Sequence, residues 1–217
     1  KEPERAVTTH PEMVRAVIHW VKNFDAEKIY VGDSSGGLKP GVTKEVLKKS
    51  GIQTVCDEEN VESVSFSKTQ RKDYEVPNPL VMDHLVSTSL LEEVDLIINL
   101  PKIKTHSLCT ITCSVKNMFG TVIIGNKPKT HLKYPKFEYF SAALADIYSV
   151  SQPQLTIVDG YLCQEGNGPS AGDVVKMDII VSGYNGVAVD ATVCNIIGVD
   201  PHDIVHLAKC QEKGNET

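Results

Sequence analysis

Three short apolar runs, each with a polar residue at its end, organise this chain. They read IYVGD, ending at Asp33, LIINLP, with Asn99 near its end, and TIVDG, with Asp159 near its end. Segments with helical periodicity lie between them. Near-continuous apolar strands that alternate with helices are typical of α/β proteins. The sequence therefore predicts Rossmann-like layers, with a mostly parallel sheet flanked by helices. Since no Pro/Gly/Ser-rich linker divides residues 1–217, we expect a single domain.

The order of these runs also predicts where a ligand would bind. In open α/β sheets, ligands bind beyond the carboxyl ends of the strands. If the three runs are parallel, one crevice collects Asp33, the segment 102–106 and the loop that follows Asp159.

Local patterns predict the individual elements. Apolar residues at helical spacing indicate helices at 108–120 and 137–151, and continuous apolar residues indicate strands at 52–57 and 174–183. Residues 121–136 are predicted to form a lysine-rich loop.

The charge distribution is uneven and points to an anionic ligand. The formal net charge is −6, which argues against nucleic acid as a partner of the whole chain. Residues 96–137, however, contain seven lysines and no acidic residue. A chance basic surface is the simpler explanation, but an acid-free run of this length favours a small anion held nearby.

Other features bear on compartment and cofactor. No apolar run reaches the roughly 18 residues of a membrane span, so we expect no membrane partner. Six cysteines without a CxxC motif or a signal sequence predict reduced thiols and a cytoplasmic location. The closest pair, Cys109 and Cys113, is too sparse for a ferredoxin-type cluster.

A Gly-rich loop, GDSSGGLKPG, follows the first run. Its amides suit an anion, and the candidate ligand-binding residues are Asp33, Ser34, Ser35, Gly36 and Gly37. Leu-Lys-Pro stands where a Walker A motif requires Lys-Ser/Thr, so a nucleoside-triphosphatase P-loop is excluded. A plain tight turn remains an equal alternative.

The segment KIKTHSLCTITCSVKN contains the next group of candidates. If a helix begins after Thr105 or Ser107, then Lys102, Lys104 and His106 lie at its positive end, where an anion is stabilised. The other candidates in this segment are Thr105, Lys116 and Asn117. A capping histidine and a solvated lysine are the structural alternatives for His106 and Lys116.

Carboxylates appear in two further places. Asp159, Glu165 and Asn167 belong to a long Gly-rich segment that could bind a divalent cation, act in acid–base chemistry or simply form turns. Asp190 is the charged residue of an otherwise apolar helix, and we expect it to tie that helix to a backbone group or a lysine.

Five segments together resemble the family catalogued as domain of unknown function 362. They are TTHPEMVRAVI, VGDSSGG, DLIINLPKIKTHSLCTITCSVKNMFG, VDGYLCQEGNGPSAG and VAVDATVCNIIGVDP, in that order. The resemblance implies an earlier strand that ends in a Lys-Pro-Asn type segment, so this chain is expected to be a fragment without it. It also implies an iron–sulfur partner protein or domain, although this chain has no cluster motif of its own.

A more distant similarity is to nickel-pincer lactate racemases. The spacing of His106, Lys116 and His131 is similar to that of a histidine, the lysine that holds the pincer cofactor, and a nickel-ligating histidine. This implies catalytic roles for His106 and Lys116, with a divalent metal or a lysine-attached cofactor. The racemase segment is Gly-rich before its lysine, whereas this one reads TITCSV.

Two functional hypotheses and one simpler structural interpretation follow. The first is an enzyme or enzyme-like domain, racemase-like or otherwise metabolite-converting, that binds an anionic metabolite or cofactor at the strand ends. The second is a non-catalytic, redox-associated module that works with an iron–sulfur protein. The simpler interpretation is a folded domain with a basic surface loop.

Overall fold

A computed structural model describes residues 1–35, 41–123 and 126–214. The helices are α1 Pro11–Lys22, α2 Val42–Lys49, α3 Ile52–Glu58, α4 Leu90–Glu93, α5 Ser114–Asn117, α6 Lys127–Lys133, α7 Phe137–Ser151, α8 Gly186–Ile196 and α9 Val205–Glu212. The strands are β1 Tyr30–Asp33, β2 Glu62–Ser65, β3 Arg71–Glu75, β4 His84–Thr88, β5 Ile98–Asn99, β6 Lys102–His106, β7 Thr110–Thr112, β8 Leu155–Glu165 and β9 Asp173–Gly183. Helices and strands alternate through much of the chain, so the predicted α/β class is confirmed.

The main sheet is built on β8. Strands β5 and β6 both pair with β8 in parallel, at Ile98–Leu155 and Lys102–Asp159. Strand β9 pairs with β8 antiparallel, and β7 pairs with β6 antiparallel. Two smaller sheets join β1 to β2 in parallel and β3 to β4 antiparallel.

The buried side chains form a core around α7 and α8. In α7, Phe140, Leu144 and Ile147 have no exposed surface. Helix α8 packs Val189 and Val193 against residues of the main sheet, including Ile103 and Val158. A separate cluster from α1, α2 and α3 packs beside β1 and positions the end of that strand.

The predicted helix at 108–120 is wrong in its first half. The chain leaves β6 through a tight turn and returns as β7, whose first residue, Thr110, has a φ of 63°. Buried Cys109, Ile111 and Cys113 alternate with more exposed residues, which is the period of a strand. The helix α5 begins only at Ser114, followed by a 3-10 helix over Met118–Thr121.

The late start of α5 is set by Asp190. Its carboxylate oxygens accept hydrogen bonds from the backbone N–H of Ser114 at 2.6 Å and of Val115 at 2.9 Å. These donors lie in the first turn of α5 and have no intrahelical partner, so the carboxylate satisfies them. The predicted structural tie of Asp190 to a backbone is confirmed.

Two other local predictions are corrected. Residues 52–57 form α3 and not a strand, because Ile52, Val55 and Cys56 are buried at helical spacing. The lysine-rich segment 121–136 contains the helix α6, and strand β8 continues past Asp159 to Glu165. The predictions for 137–151 and 174–183 are confirmed by α7 and β9.

Candidate functional site

Three lysines from different elements converge near the end of β1. Lys104 belongs to β6, Lys116 to α5 and Lys127 to α6. We call these three residues the lysine cluster. Electrostatic repulsion from Lys116 acts on both Lys104 and Lys127, and Asp33 attracts both. Folding therefore brings together lysines that are up to 23 residues apart in the sequence.

The ring of Phe119 lies at the centre of this group. The Nζ atoms of Lys116 and Lys127 each lie 5.6 Å from its centroid, within the range of a cation–π contact. His131 packs edge-to-face on the same ring, also at 5.6 Å, and stacks on Phe140 at 4.4 Å. Two amines and an imidazole therefore lie close to one aromatic ring.

The three amines differ in their hydrogen bonds. Lys104 donates to the carbonyl of Val7 at 2.6 Å, and Lys127 donates to the carbonyl of Ser34. For Lys116, no hydrogen bond or ion pair is found with any residue in the described ranges. Backbone oxygens therefore accept hydrogen bonds from Lys104 and Lys127, whereas the amine of Lys116 lies beside an aromatic ring.

Burial lowers the pKa of each lysine in the cluster. The pKa values of Lys104 and Lys127 fall to about 8, first because burial disfavours their charged forms and then because neighbouring lysines repel them. Asp33 partly offsets this effect at both residues. Burial also lowers the pKa of Lys116. The site is thus short of negative charge.

Asp33 is the carboxylate that faces the cluster, and its position depends on a glycine. Its Oδ1 accepts a hydrogen bond from the N–H of Ser34 at 2.6 Å. A Cβ atom at Gly120 would lie 3.0 Å from this oxygen, which is tighter than most such contacts. Gly120 therefore allows the backbone after Phe119 to approach Asp33.

His106 has a defined orientation. Its Nδ1 accepts hydrogen bonds from the N–H groups of Leu108 at 3.0 Å and Cys109 at 3.3 Å, which closes the β6–β7 turn. These donors assign the proton of the neutral ring to Nε2. Burial, followed by repulsion from Lys116 and Lys104, lowers the pKa of His106 to about 4. At neutral pH this residue is a neutral hydrogen-bond donor that also forms a turn.

His206 was not singled out by the sequence. It is fully buried in α9, and neither ring nitrogen has a hydrogen-bond partner in the part of the chain that the structure describes. Burial and repulsion from Lys116 and His106 lower its pKa to about 3. The sequence carried no signal for this residue, because its relation to Lys116 exists only in the folded chain. Phe119, Gly120 and Lys127 were likewise not candidates, although Lys127 belongs to the acid-free run.

Lys102 and Asp159 form a separate, structural pair. They are both buried, with Nζ and Oδ2 2.5 Å apart. Lys102 also donates to the carbonyl of Leu162 at 2.8 Å, while Asp159 accepts from the N–H of His10 at 2.7 Å. The pair joins β6, β8 and the start of α1, and both groups are already satisfied.

Other sequence candidates form local contacts. Ser35 contacts Thr43 through its N–H and hydroxyl, each at 3.2 Å, and Thr105 donates to the carbonyl of Gly166 at 3.0 Å. Asn117 donates to Asn99 at 2.7 Å.

Four candidates lie apart from these contacts or outside the described residues. Glu165 and Asn167 are exposed at the end of β8 and in the turn that follows it. Gly36 and Gly37 lie outside the described residues.

The side chains that commonly bind metal ions are dispersed in the described residues. Within residues 1–35, 41–123 and 126–214, no group of three or more His, Cys, Asp and Glu side chains is placed to hold a metal ion. All six cysteines are buried and unpaired, and burial raises the pKa of the Cys109 thiol to about 11. They do not fit the ligand set of an iron–sulfur cluster. The groups that fit a cofactor are the amines, through charge or through covalent attachment.

Comparison with known proteins identifies the family. Residues 1–195 match the family described as "Domain of unknown function (DUF362)". This chain belongs to the DUF362 family. The matched range includes the complete lysine cluster, His106 and His131.

A curated relative is similar over almost the whole chain. It is the thylakoid-associated protein sll1697 of Synechocystis sp., 29% identical over 213 residues, which cover 98% of this chain. The match spans 64% of that relative's length. Among the described helices, none has the length and apolarity needed to cross a membrane.

Proposed function

We propose that this DUF362 chain binds a small, multiply charged anion, either a metabolite or a cofactor, in the lysine cluster. The observation that carries the proposal is the mismatch between charge and burial at Lys104, Lys116 and Lys127. Their pKa values are lowered, so the unliganded fold is destabilised by holding these amines where they are. Such a cost is commonly found at functional sites.

Charge balance supports a dianion. Three amines surround one carboxylate, that of Asp33, so the amines outnumber the carboxylates by two. Burial lowers the pKa of both His106 and His131, which favours their uncharged forms. A phosphate ester or a dicarboxylate would match this balance, and Nε2–H of His106 supplies a further donor.

The position in the fold also supports the proposal. Asp33 ends a parallel strand, and Lys104 lies in a strand that is parallel to β8. Asp33 thus lies at a carboxyl strand end, where ligands of α/β proteins bind.

The test is calorimetric titration with inorganic phosphate at pH 7. We expect Lys104→Met and Lys127→Met each to weaken phosphate binding by about ten- to hundredfold, as expected for the loss of a charged hydrogen bond worth about 1.5–3 kcal/mol. Lys129→Met is the matched control, because Lys129 lies in the same helix as Lys127 but is exposed. Equal phosphate affinity in all three variants would refute the proposal.

Catalysis is a narrower hypothesis within this proposal. In it, Lys116 and His106 act on the bound anion, and racemase-like chemistry would involve His131 as well. The iron–sulfur partner stays a prediction, tested by iron analysis of the full-length protein.

The cellular compartment also needs a direct test. The relative is described as thylakoid-associated, whereas the reduced cysteines of this chain predicted a cytoplasmic location. Fractionation of cells that express the full-length protein distinguishes a membrane-associated from a cytoplasmic pool.

A further inference from the structure

The unpartnered amine of Lys116 suggests a more specific ligand chemistry. Lys104 and Lys127 each donate a hydrogen bond to a backbone carbonyl, and Lys102 is paired with Asp159. Lys116 has no such acceptor in the described ranges and contacts the face of Phe119. An amine without an acceptor or a counter-charge has a free lone pair once it is deprotonated.

We propose that Lys116 forms an imine with an anionic aldehyde or ketone bound in the lysine cluster. This inference rests on the proposed anion binding and names the class of ligand. Lys104 and Lys127 hold the anionic group, and Lys116 is the nucleophile. His106 donates its Nε2–H to the carbonyl oxygen.

The environment of Lys116 meets the requirements of this reaction. A nucleophilic lysine must be uncharged when it reacts, and burial, which lowers the pKa of Lys116, favours the uncharged form. Lys116 is half-buried, so part of its side chain remains accessible to a ligand.

The reaction balances without an oxidant or a reductant. The amine nitrogen of Lys116 attacks the carbonyl carbon and a C–N bond forms. The carbonyl oxygen takes up the two protons of the amine and leaves as water, so the C=O bond is replaced by C=N. His106 stabilises the oxygen during this step and keeps its own proton.

The experiment uses glyoxylate, an anionic aldehyde, with sodium cyanoborohydride at pH 7, which converts the imine into carboxymethyl-lysine. Peptide mapping by mass spectrometry then locates the modified residues. We expect Lys116 to be modified faster than exposed Lys129 and Lys133, because burial lowers the pKa of Lys116 and so raises the neutral fraction of its amine. Inorganic phosphate should suppress the modification of Lys116. Propionaldehyde, which lacks the carboxylate, should modify Lys116 no faster than it modifies Lys129 and Lys133.

The outcomes separate this inference from the proposed function. Modification of Lys116 no faster than of Lys129 and Lys133 would overturn the imine. If phosphate still binds in that case, the proposed anion site is retained and only the imine is rejected. If phosphate fails to bind and Lys116 is not modified faster than the exposed lysines, both the anion site and the imine are rejected. The mapping uses the unaltered chain, so it does not depend on the folding of a variant.

Discussion

Replacing Lys127 by methionine should stabilise the protein at neutral pH. Lys127 is only 7% exposed, and its pKa falls from an ordinary 10.5 to about 8. Each pKa unit corresponds to about 1.4 kcal/mol, so the folded protein is destabilised by about 3 kcal/mol at pH 7. Methionine has a similar length and no charge. Its substitution also removes the hydrogen bond to Ser34, at a cost of about 1 kcal/mol.

The expected net gain is about 2 kcal/mol in the free energy of unfolding at pH 7. For a chain of this size, that corresponds to a rise in Tm of about 4–8 °C. The gain depends on pH in a defined direction. Between pH 8 and 10.5 the unfolded chain binds more protons at this residue than the folded chain, so the wild type becomes more stable as the pH rises. Near pH 9.5 the penalty falls to about 1 kcal/mol, and the variant should lose its advantage.

Urea unfolding at pH 7 and pH 9.5 measures both effects, with Lys129→Met as the control for removing a lysine from α6. A Lys127→Met variant less stable than Lys129→Met at pH 7 would refute this prediction. A stability difference between these variants that stayed constant from pH 7 to pH 9.5 would also contradict it, because the effect would not then come from the charge.

Three other predictions follow from the same contacts. Phosphate binding at pH 8 should be accompanied by proton uptake, because the anion raises the lowered pKa values of Lys104 and Lys127. Calorimetry in buffers of different ionisation enthalpy measures this uptake, and binding heats that do not depend on the buffer would contradict the prediction. Asp159→Asn should destabilise the fold by about 3–5 kcal/mol, because it leaves Lys102 buried without its partner, and adding Lys102→Met should restore part of the loss in urea unfolding. Asp190→Ala should cost about 2–4 kcal/mol, because two N–H groups of α5 lose their acceptor, and a Tm unchanged from the wild type would show that α5 does not need this cap.

The candidate site was only partly predictable from the sequence. The acid-free lysine run and the polar strand end at Asp33 made Asp33, Lys104 and Lys116 candidates, because charge and chain order can be read directly, and the structure places Asp33 and Lys116 near Lys104. Asp159 was placed in the same crevice, but it is already bonded to Lys102. Lys127 appeared as one lysine among several, since nothing in its local pattern distinguishes a buried amine from a solvated one.

The sequence by itself determined the elements whose stability is local. Helix α7 and strand β9 follow from the spacing of their own apolar residues, and the α/β class follows from their alternation. Tertiary structure decided the segment 108–120, where Asp190, distant in sequence, caps α5 and leaves the preceding residues free to form β7. It also decided which lysines surround Phe119. Both outcomes depend on contacts between residues far apart in the chain, and the free energy of such contacts has no signature in a local pattern.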